Sequence, residues 1–506
     1  MKYVFFTYDG HGLPIAYKLY DEGQDVIVAQ VKYLEFMPEE EPEKREKRLK
    51  LYDGMIEKHD ADTLLQKLLK EKNKEEWFIV GDFNYVYPYT EQLKKAGFRG
   101  LLPTKEDYRL EAERQLAKEV VKNYYPIFQD EESYEFKNVK DALEFLKKRR
   151  DKIWGVKGFN PDAETFFPMS NDALIAYEEL EDVLMAGKEI YEKDGFILEE
   201  KIEDLIEFTP ELITFDGEIV GASINVELKP FGAGNISIQT GDSASLDFWL
   251  TQEEIERIMD FFPVERFFIR KNEMVIWDAG TMYSPSRKAF YFSEFCSNRM
   301  GFGSIFNKLS TLGSVSEFFE KIINKQYIFD KTVKPFGCGI RAFNMMSKKG
   351  EPKEDLLIIA DPADKNTWLW DVYSKEGKFY TVGLDWNIGV LTQAGEDWMV
   401  NFALIDAQLA SNKKFLVSNM YWRRAFDIIN QTYQNNLFDR MKFLYDYLGR
   451  EFKFQTPKEF WQSEDILKSL SSTVMENEFI KEYKIRQLRN QINIISSELD
   501  KYLQNE

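Results

Sequence analysis

At 506 residues the chain is long enough for roughly two to four domains, and 44% hydrophobic with 15% aromatic residues excludes a disordered polymer. A formal charge of −20 excludes broad, sequence-blind gripping of a nucleic-acid backbone, but leaves room for a local basic pocket around one phosphorylated metabolite. Cys296 and Cys338, the only cysteines, are too few for a disulfide scaffold or a cysteine-rich metal site, and no run reaches the roughly 18 apolar residues of a membrane span. The cytoplasm is the expected location.

Residues 1–102 alternate strand and helix signals. Tyr3–Thr7, Val26–Val31 and Trp77–Val80 read as strands, while Leu13–Tyr20, Ile56–Lys70 and Glu91–Ala96 read as helices. KYVFFTYDG is too short for a secretory apolar segment and serves as the first strand. PEEEPEKREKRLK reads as a charged surface passage. Strands separated by helices imply a parallel sheet covered on both faces, with ligands at the carboxyl ends of its strands. Those ends carry YDGHGLP and GDFN, which makes Asp9, Gly10, His11, Gly12, Asp82 and Asn84 candidates for a substrate rim. GHG lacks the third glycine and the acidic partner of a dinucleotide fingerprint. His11 is either a base or a loop histidine without a special task.

From Pro103 the texture changes. Lys105–Asn123 reads as one helix, with Arg114 and Lys118 four apart on one face, and Lys137–Arg150 as a second. Ile153–Val156 reads as a short strand that delivers Lys157 beside Gly158, a setting suited to a polyphosphate; residues 171–193 are helical.

The stretch 195–242 is an apolar strand ending in Glu199, Glu200, Lys201 and Ile202, then two apolar runs split by Asp216-Gly217. Asp-Gly between β-formers is a strong hairpin signal. Lys229 and a glycine-rich passage follow, ending in Gln239, Thr240 and Gly241. The stretch reads either as a surface hairpin or as a site edge for a nucleotide and a second substrate.

Thr251–Met259 reads as a helix with Thr251 and Glu254 as a capping box; strands are expected at Arg266–Arg270, Met274–Trp277 and Ala289–Glu294. If the last strand continues extended, Glu294, Cys296 and Asn298 share one face. Glu294 and Asn298, with Asp278 from the neighbouring strand, offer the hard oxygen ligands that suit Mg2+ held jointly with phosphates, although an edge strand facing solvent explains the same acids. Residues 311–330 read as helical. Residues 331–430 suggest a small α+β domain, and from about Gln431 the chain is helical and charge-rich. FIKEYKIRQLRNQINIISSELDKYL reads as an amphipathic helix fit for packing on the body, on a partner or on a second copy.

Taken in order, these pieces resemble the ATP-grasp enzymes, and within them the phosphoribosylamine–glycine ligase (glycinamide ribonucleotide synthetase) family. LLPTKEDYRLEAERQLAKEV is similar to that family's GPTKAAAQLEGSKAFAKDF, with Arg114 standing where the family has a phosphate-binding lysine. Lys157 falls on the second phosphate lysine. LEEKIEDLIEFT resembles EEFLxGEEFS, which implies Glu199, Glu200, Lys201 and Ile202 at the adenine edge and Glu207 at the ribose. Lys229 with Gln239-Thr240-Gly241 resembles a lysine followed by Asn-Thr-Gly, Glu294-Phe295 resembles the metal-binding EFNVR, and YWRRAF resembles YRRDI. The likeness is collinear over residues 1–426.

The resemblance implies an N-terminal parallel α/β substrate domain (1–102), an ATP-grasp nucleotide-binding domain (103–330), a small α+β domain (331–430) and a helical extension (431–506). It implies ATP with Mg2+ or Mn2+, small carboxylate and amine substrates, and ligation through an acyl phosphate. Arg114, Lys157 and Lys229 would neutralise the phosphates. Several motifs depart from the family. The glycine-rich phosphate lid KADGLAAGKGV is here KGFNPDAETFF, and Cys296 stands where the family has a metal-binding asparagine. Asp9 and Asp82 add negative charge where phosphoribosylamine would sit. These changes imply altered substrates; the other reading is a non-catalytic binding or assembly protein built on a degenerate ATP-grasp fold.

Overall fold

The β-branched and aromatic runs at the start of the chain form a parallel sheet. In a computed structural model, which describes residues 1–37, 40–159, 165–232, 239–262, 270–301, 303–344, 352–411, 415–430, 436–466, 468 and 470, the strands are β1 (Lys2–Thr7), β2 (Asp25–Gln30), β3 (Lys58–Asp60), β4 (Trp77–Gly81) and β5 (Arg99–Leu101). All five run parallel in the order β5-β4-β1-β2-β3. Val4, Phe6, Ala29, Leu65 and Ile79 join strands to helices in one apolar core. The expected helix over 56–70 starts later, at Ala61, because residues 58–60 add the edge strand β3 and Asp60 accepts the Thr63 N–H as a cap. The charged passage is likewise not simply solvated. It contains the helix Pro42–Lys50, whose Arg48 is buried and donates to the carbonyls of Tyr8 (2.6 Å) and Val31 (3.0 Å).

The chain divides into two compact units: Met1–Glu119 with Glu207–Gly280 and Glu294–Glu506, and Val120–Ile206 with Thr281–Ser293. In the smaller unit β6 (Phe128–Gln129) precedes β7 (Ser133–Phe136), β8 (Trp154–Gly158) and β9 (Phe196–Glu200), the last three forming an antiparallel sheet in the order β7-β9-β8. Trp154, Val156, Phe196 and Leu198 of this sheet pack on Leu180 and Leu184 of the helix Ala173–Ala186. The expected single helix over 105–123 is two, Lys105–Ala112 and Arg114–Tyr124, because Glu113 leaves helical geometry with ψ of 86°.

The larger unit resumes with β10 (Ile206–Phe215), β11 (Glu218–Pro230), β12 (Gln239–Trp249) and β13 (Glu273–Asp278). The β10–β11 hairpin turns at Asp216-Gly217, both at positive φ (50° and 81°), as the dipeptide predicts. The smaller unit adds β14 (Thr281–Ser284) and β15 (Ala289–Phe292), an antiparallel pair. The remaining strands are β16 (Phe336–Asn344), β17 (Leu357–Ala360), β18 (Thr367–Leu369), β19 (Val372–Lys375), β20 (Lys378–Thr381), β21 (Asn387–Gly395), β22 (Phe415–Val417) and β23 (Met420–Tyr421). In the larger unit the sheet runs β18-β21-β16-β12-β11-β10-β13-β5-β4-β1-β2-β3, so β16 and β21 extend the sheet that contains the hairpin. The strand expected at 266–270 falls, apart from Arg270, outside the described residues, as does the amphipathic segment near the end of the sequence. Helices Leu437–Leu448 and Pro457–Gln462 are seen in the charge-rich C-terminal region.

Candidate active site

Residues paired across an antiparallel ladder share a face, and alternation along each strand repeats it. In the larger unit Glu211 stands opposite both Asp278 and Ser223, Asn225 opposite Asp247, and Glu227 opposite Ser245. One face of β10–β13 is therefore polar, an unusual surface to cover with protein. The helix Gly303–Ser310 covers part of it. Gly337 and Gly339 let Asn307 approach, since a Cβ at either would lie 2.1 and 2.4 Å from Asn307 atoms. From this helix the buried Lys308 bonds Glu211 and, at 2.8 Å, Asp247; Asn307 donates to Asp247 at 3.0 Å. Burial, opposed by Lys308 and reinforced by Glu211, pushes the Asp247 carboxyl up to about 7.

Towards the other end of the face the cations are better matched. Lys229 lies 2.5 Å from Glu207 and 3.9 Å from Glu294. Burial raises the Glu207 carboxyl, but Lys229 and Arg440 outweigh it and hold it below the ordinary range. The same carboxylates, with Glu227, raise Lys229 against its own burial. Lys229 and Arg299 act on Glu227 too, but burial, with Asp242 and Glu207 adding to it, outweighs them and pushes it up to about 8. Thr240 donates to the Lys229 carbonyl at 3.0 Å, and Gly241 takes a positive φ of 75°, so the predicted run anchors the far side of the Lys229 strand.

Of the metal candidates, Glu294 is half exposed (48%) beside Lys229. Asp278 is buried and accepts the Cys296 N–H at 2.5 Å; burial and Glu211 push its carboxyl well up, against the pull of Arg299. The extended face of Glu294, Cys296 and Asn298 does not form, because the chain turns at Asn298, whose φ is 59°. The Asn298 amide is buried; it accepts from the Ile276 N–H at 3.2 Å and donates to Asn84 at 3.2 Å. Glu294 thus keeps a half-exposed carboxylate beside Lys229, Asp278 has a buried carboxyl already bonded to a backbone amide, and the Asn298 side chain is engaged in the fold. Among the described residues, no group of three or more histidine, cysteine or acidic side chains is set to hold a metal by itself.

At the parallel strand ends, Gly10 (φ 86°) and Gly12 lead into the helix Leu13–Asp21. Such a helix start offers amides to an anion. Here Asp82, wholly buried, accepts the Gly12 N–H at 2.7 Å, and Asp9 lies 3.0 Å from His11 Nε2. Burial and the neighbouring Asp9 push Asp82 up to about 7, with His11, Thr7 and the Gly12 amide opposing. His11 sits against Phe83 and Trp370 at ring distances of 5.1 and 4.8 Å.

In the smaller unit Lys157 reaches Glu199 across the β8–β9 pair. Glu200 bonds Arg287 (2.7 Å) and Lys152 (2.9 Å), which together outweigh its burial and lower it. Lys201 donates to the Pro168 carbonyl at 2.7 Å and to Asn171 at 3.1 Å, and Ile202 packs with Ala289 and Tyr291. Arg114 begins its helix, but its side chain lies outside what is described, as do residues 160–164 of the rewritten lid.

No family profile matches the chain, and no curated protein matches it in sequence. Solved structures do. Phosphoribosylamine–glycine ligase from Thermotoga maritima superposes with a TM-score of 0.57 at 15% identity, over 84% of this chain and 100% of that one. Biotin carboxylase from Campylobacter jejuni, in complex with β,γ-ATP, gives 0.52 at 14% identity, over 87% and 98%. The biotin carboxylase domain of Hydrogenobacter thermophilus 2-oxoglutarate carboxylase, with MgADP, ADP and bicarbonate, gives 0.51 at 11%, over 89% and 99%. The chain has an ATP-grasp fold. Within this ATP-grasp fold the sequence motifs missed Glu211, Glu227, Asp247, Lys308 and Arg440. Glu227 and Asp247 had a readable signal: SINVELK and SASLD alternate polar and apolar residues inside strongly β-forming runs. Lys308 and Arg440 come from helices whose contact with the sheet no local pattern announces. Among the described residues no helix is long and apolar enough to cross a membrane.

Proposed function

We propose that the chain is an ATP- and Mg2+-dependent ligase that joins a small carboxylate to an amine through an acyl phosphate, with substrates other than those of phosphoribosylamine–glycine ligase. The observation that carries this reading is Lys229 between Glu207 and Glu294 on one polar sheet face of an ATP-grasp fold. In this reading Lys157, Lys229 and Arg114 neutralise the phosphates, Glu199, Glu200, Lys201 and Ile202 take the adenine edge, and Glu207 the ribose. Glu294 and Asp278 would hold Mg2+, which supplies further charge neutralisation at the phosphates. A substrate carboxylate oxygen attacks the γ-phosphorus and ADP departs with the bridging oxygen. The amine nitrogen then attacks the acyl carbon, phosphate departs, and the amine loses a proton to solvent. The protein's part is alignment and charge stabilisation.

The altered acceptor is supported by Asp82. A carboxyl group already accepts the amide that a substrate phosphate would use, and Asp9 stands beside it. In this reading Gly10, Gly12, Thr240 and Gly241 would serve as substrate-loop positions. The second reading, a binding or assembly protein, is favoured by one feature: Lys157 and Lys229 already have internal carboxylate partners. ADP release by the purified protein, with ATP, Mg2+ and a panel of amino acids and amines, tests both. Release that requires both co-substrates supports the ligase; ATP binding without turnover by any pair favours the binding protein.

A further inference from the structure

The helix Leu437–Leu448 lies beyond the part of the sequence that resembles the ligase family, yet it packs against the end of β10. Asn436 caps it by accepting the Asp439 N–H at 2.9 Å, and Leu437, Met441 and Leu444 bury its apolar side. Phe443 meets Phe208 of β10 at a ring distance of 6.0 Å. These contacts fix one side chain, Arg440, which is 4% exposed. Its Nε donates to the Glu207 carbonyl at 2.9 Å, Nη2 donates to the same oxygen, and Nη1 donates to the Glu227 carbonyl at 2.8 Å.

The ladder of β10 and β11 runs from the turn as far as the pair Thr209–Asn225. Glu207 and Glu227 are the next alternate residues, one on each strand. At this point the strands are joined through a guanidinium whose planar fork suits two acceptors at fixed spacing. A buried arginine with carbonyl partners alone would be costly, but the ionised Glu207 also supplies opposing charge. Lys229, one alternation beyond Glu227, is the residue whose ammonium meets the Glu207 side chain. The position of that ion pair therefore depends on how far apart the strand ends are held.

Resting on the nucleotide reading above, we infer that Arg440 is a positioning residue for the nucleotide: it sets Glu207 and Lys229 by clamping the strand ends that carry them. The C-terminal helical region is thus part of the binding apparatus, and its arginine acts through Glu207.

The test is calorimetric titration of the full chain with Mg·ATP, for wild type, Arg440→Gln, Arg440→Lys, Glu207→Gln and the Arg440→Gln/Glu207→Gln double variant, with thermal unfolding of each. Arg440→Gln is expected to weaken ATP affinity at least ~10-fold in the wild-type background and less than ~2-fold in the Glu207→Gln background, a coupling of about 1 kcal/mol or more. Its unfolding shift should be similar in both backgrounds. Arg440→Lys, which keeps the charge and fewer donors, should fall between wild type and Arg440→Gln, and decides the matter if Arg440→Gln does not fold. Equal losses in both backgrounds, or no loss in Arg440→Lys and Arg440→Gln, overturn the inference while the nucleotide reading stands. Wild-type protein that binds no ATP overturns that reading, and the inference with it.

Discussion

Glu207 and Asp82 are both carboxyl groups of the larger unit, at ends of strands in the same sheet, and they are treated in opposite ways. Glu207 has Lys229 at 2.5 Å and Arg440 on its backbone, and is held below the ordinary carboxylate range despite its burial. Asp82 has backbone amide and hydroxyl partners, a second acid beside it, and a carboxyl pushed up to about 7. The difference is the number of cations supplied per acid. On the β10–β11 side Lys229 and Arg440 act on Glu207, whereas at the parallel strand ends Arg48 is engaged by the Tyr8 and Val31 carbonyls and Asp82 is met by an amide, a hydroxyl and His11. The Glu211–Lys308–Asp247 cluster lies between these extremes, with one cation shared by two buried acids.

Removing the shared cation should break the comparison most severely. Lys308→Met leaves Glu211 and Asp247 buried without a counter-ion, and an uncompensated buried charge costs about 3–5 kcal/mol. Urea unfolding should show a loss of that order; a loss under ~1 kcal/mol would mean that the two acids are already neutral and the cluster is not an ion network. Lys157→Ala tests the lysine proposed to meet the phosphates from the smaller unit. Losing a charge-assisted contact to phosphate is worth about 1.5–3 kcal/mol, so ATP affinity should fall roughly 10- to 100-fold by calorimetry. Unchanged affinity would assign Lys157 to the structural pairing with Glu199.

The cation-poor side predicts a pH dependence. Folded Asp82 keeps its proton up to about 7, whereas the unfolded chain releases it near the ordinary value of 3.8. The native state therefore binds more protons in that window, and this group's contribution to stability falls as pH rises from about 4 through about 7. Asp82→Asn keeps an acceptor for the Gly12 N–H and removes the titration. Its stability relative to wild type should improve by about 2–3 kcal/mol between pH 5 and pH 8. A difference that stays flat with pH would show that Asp82 is ionised throughout.

The mildest expected effect is at Glu294. Glu294→Gln keeps the shape and removes the charge of a half-exposed side chain, so stability should stay within about 0.5 kcal/mol. Mg2+-dependent ADP release should fall about 5- to 10-fold, near 1 kcal/mol of lost stabilisation. An unaltered Mg2+ titration would leave Glu294 as a partner of Lys229 alone.

What could be foreseen from the sequence followed from interactions that are local in the chain. Asp216-Gly217 imposed its hairpin because positive φ at both residues is a local requirement. The parallel sheet was legible because strands β1, β2 and β4 carry runs of β-branched and aromatic residues separated by helical spacing. Local patterns failed where a side chain's partner was distant. Arg48 looked like one charge among many in a polar passage, and partners outside its helix, the carbonyls of Tyr8 and Val31 among them, make it a buried post. Asn298 looked like a cation ligand because an extended strand would align it with Glu294; a positive-φ turn and a hydrogen bond to Ile276 place its amide elsewhere. Arg440 carried no readable signal, since Glu207 and Glu227 are more than two hundred residues away in sequence.

The central claim, that the chain is a ligase equipped for a nucleotide but not for a phosphorylated acceptor, is tested most directly by measuring ADP release and product formation side by side. One arm supplies ATP, Mg2+, glycine and phosphoribosylamine; the other supplies ATP, Mg2+ and pairs of carboxylates with unphosphorylated amines. The account predicts ADP release that needs both members of an unphosphorylated pair, with no glycinamide ribonucleotide above background. Efficient formation of glycinamide ribonucleotide would contradict it, because Asp82 and Asp9 would then be tolerating the phosphate they are held here to exclude.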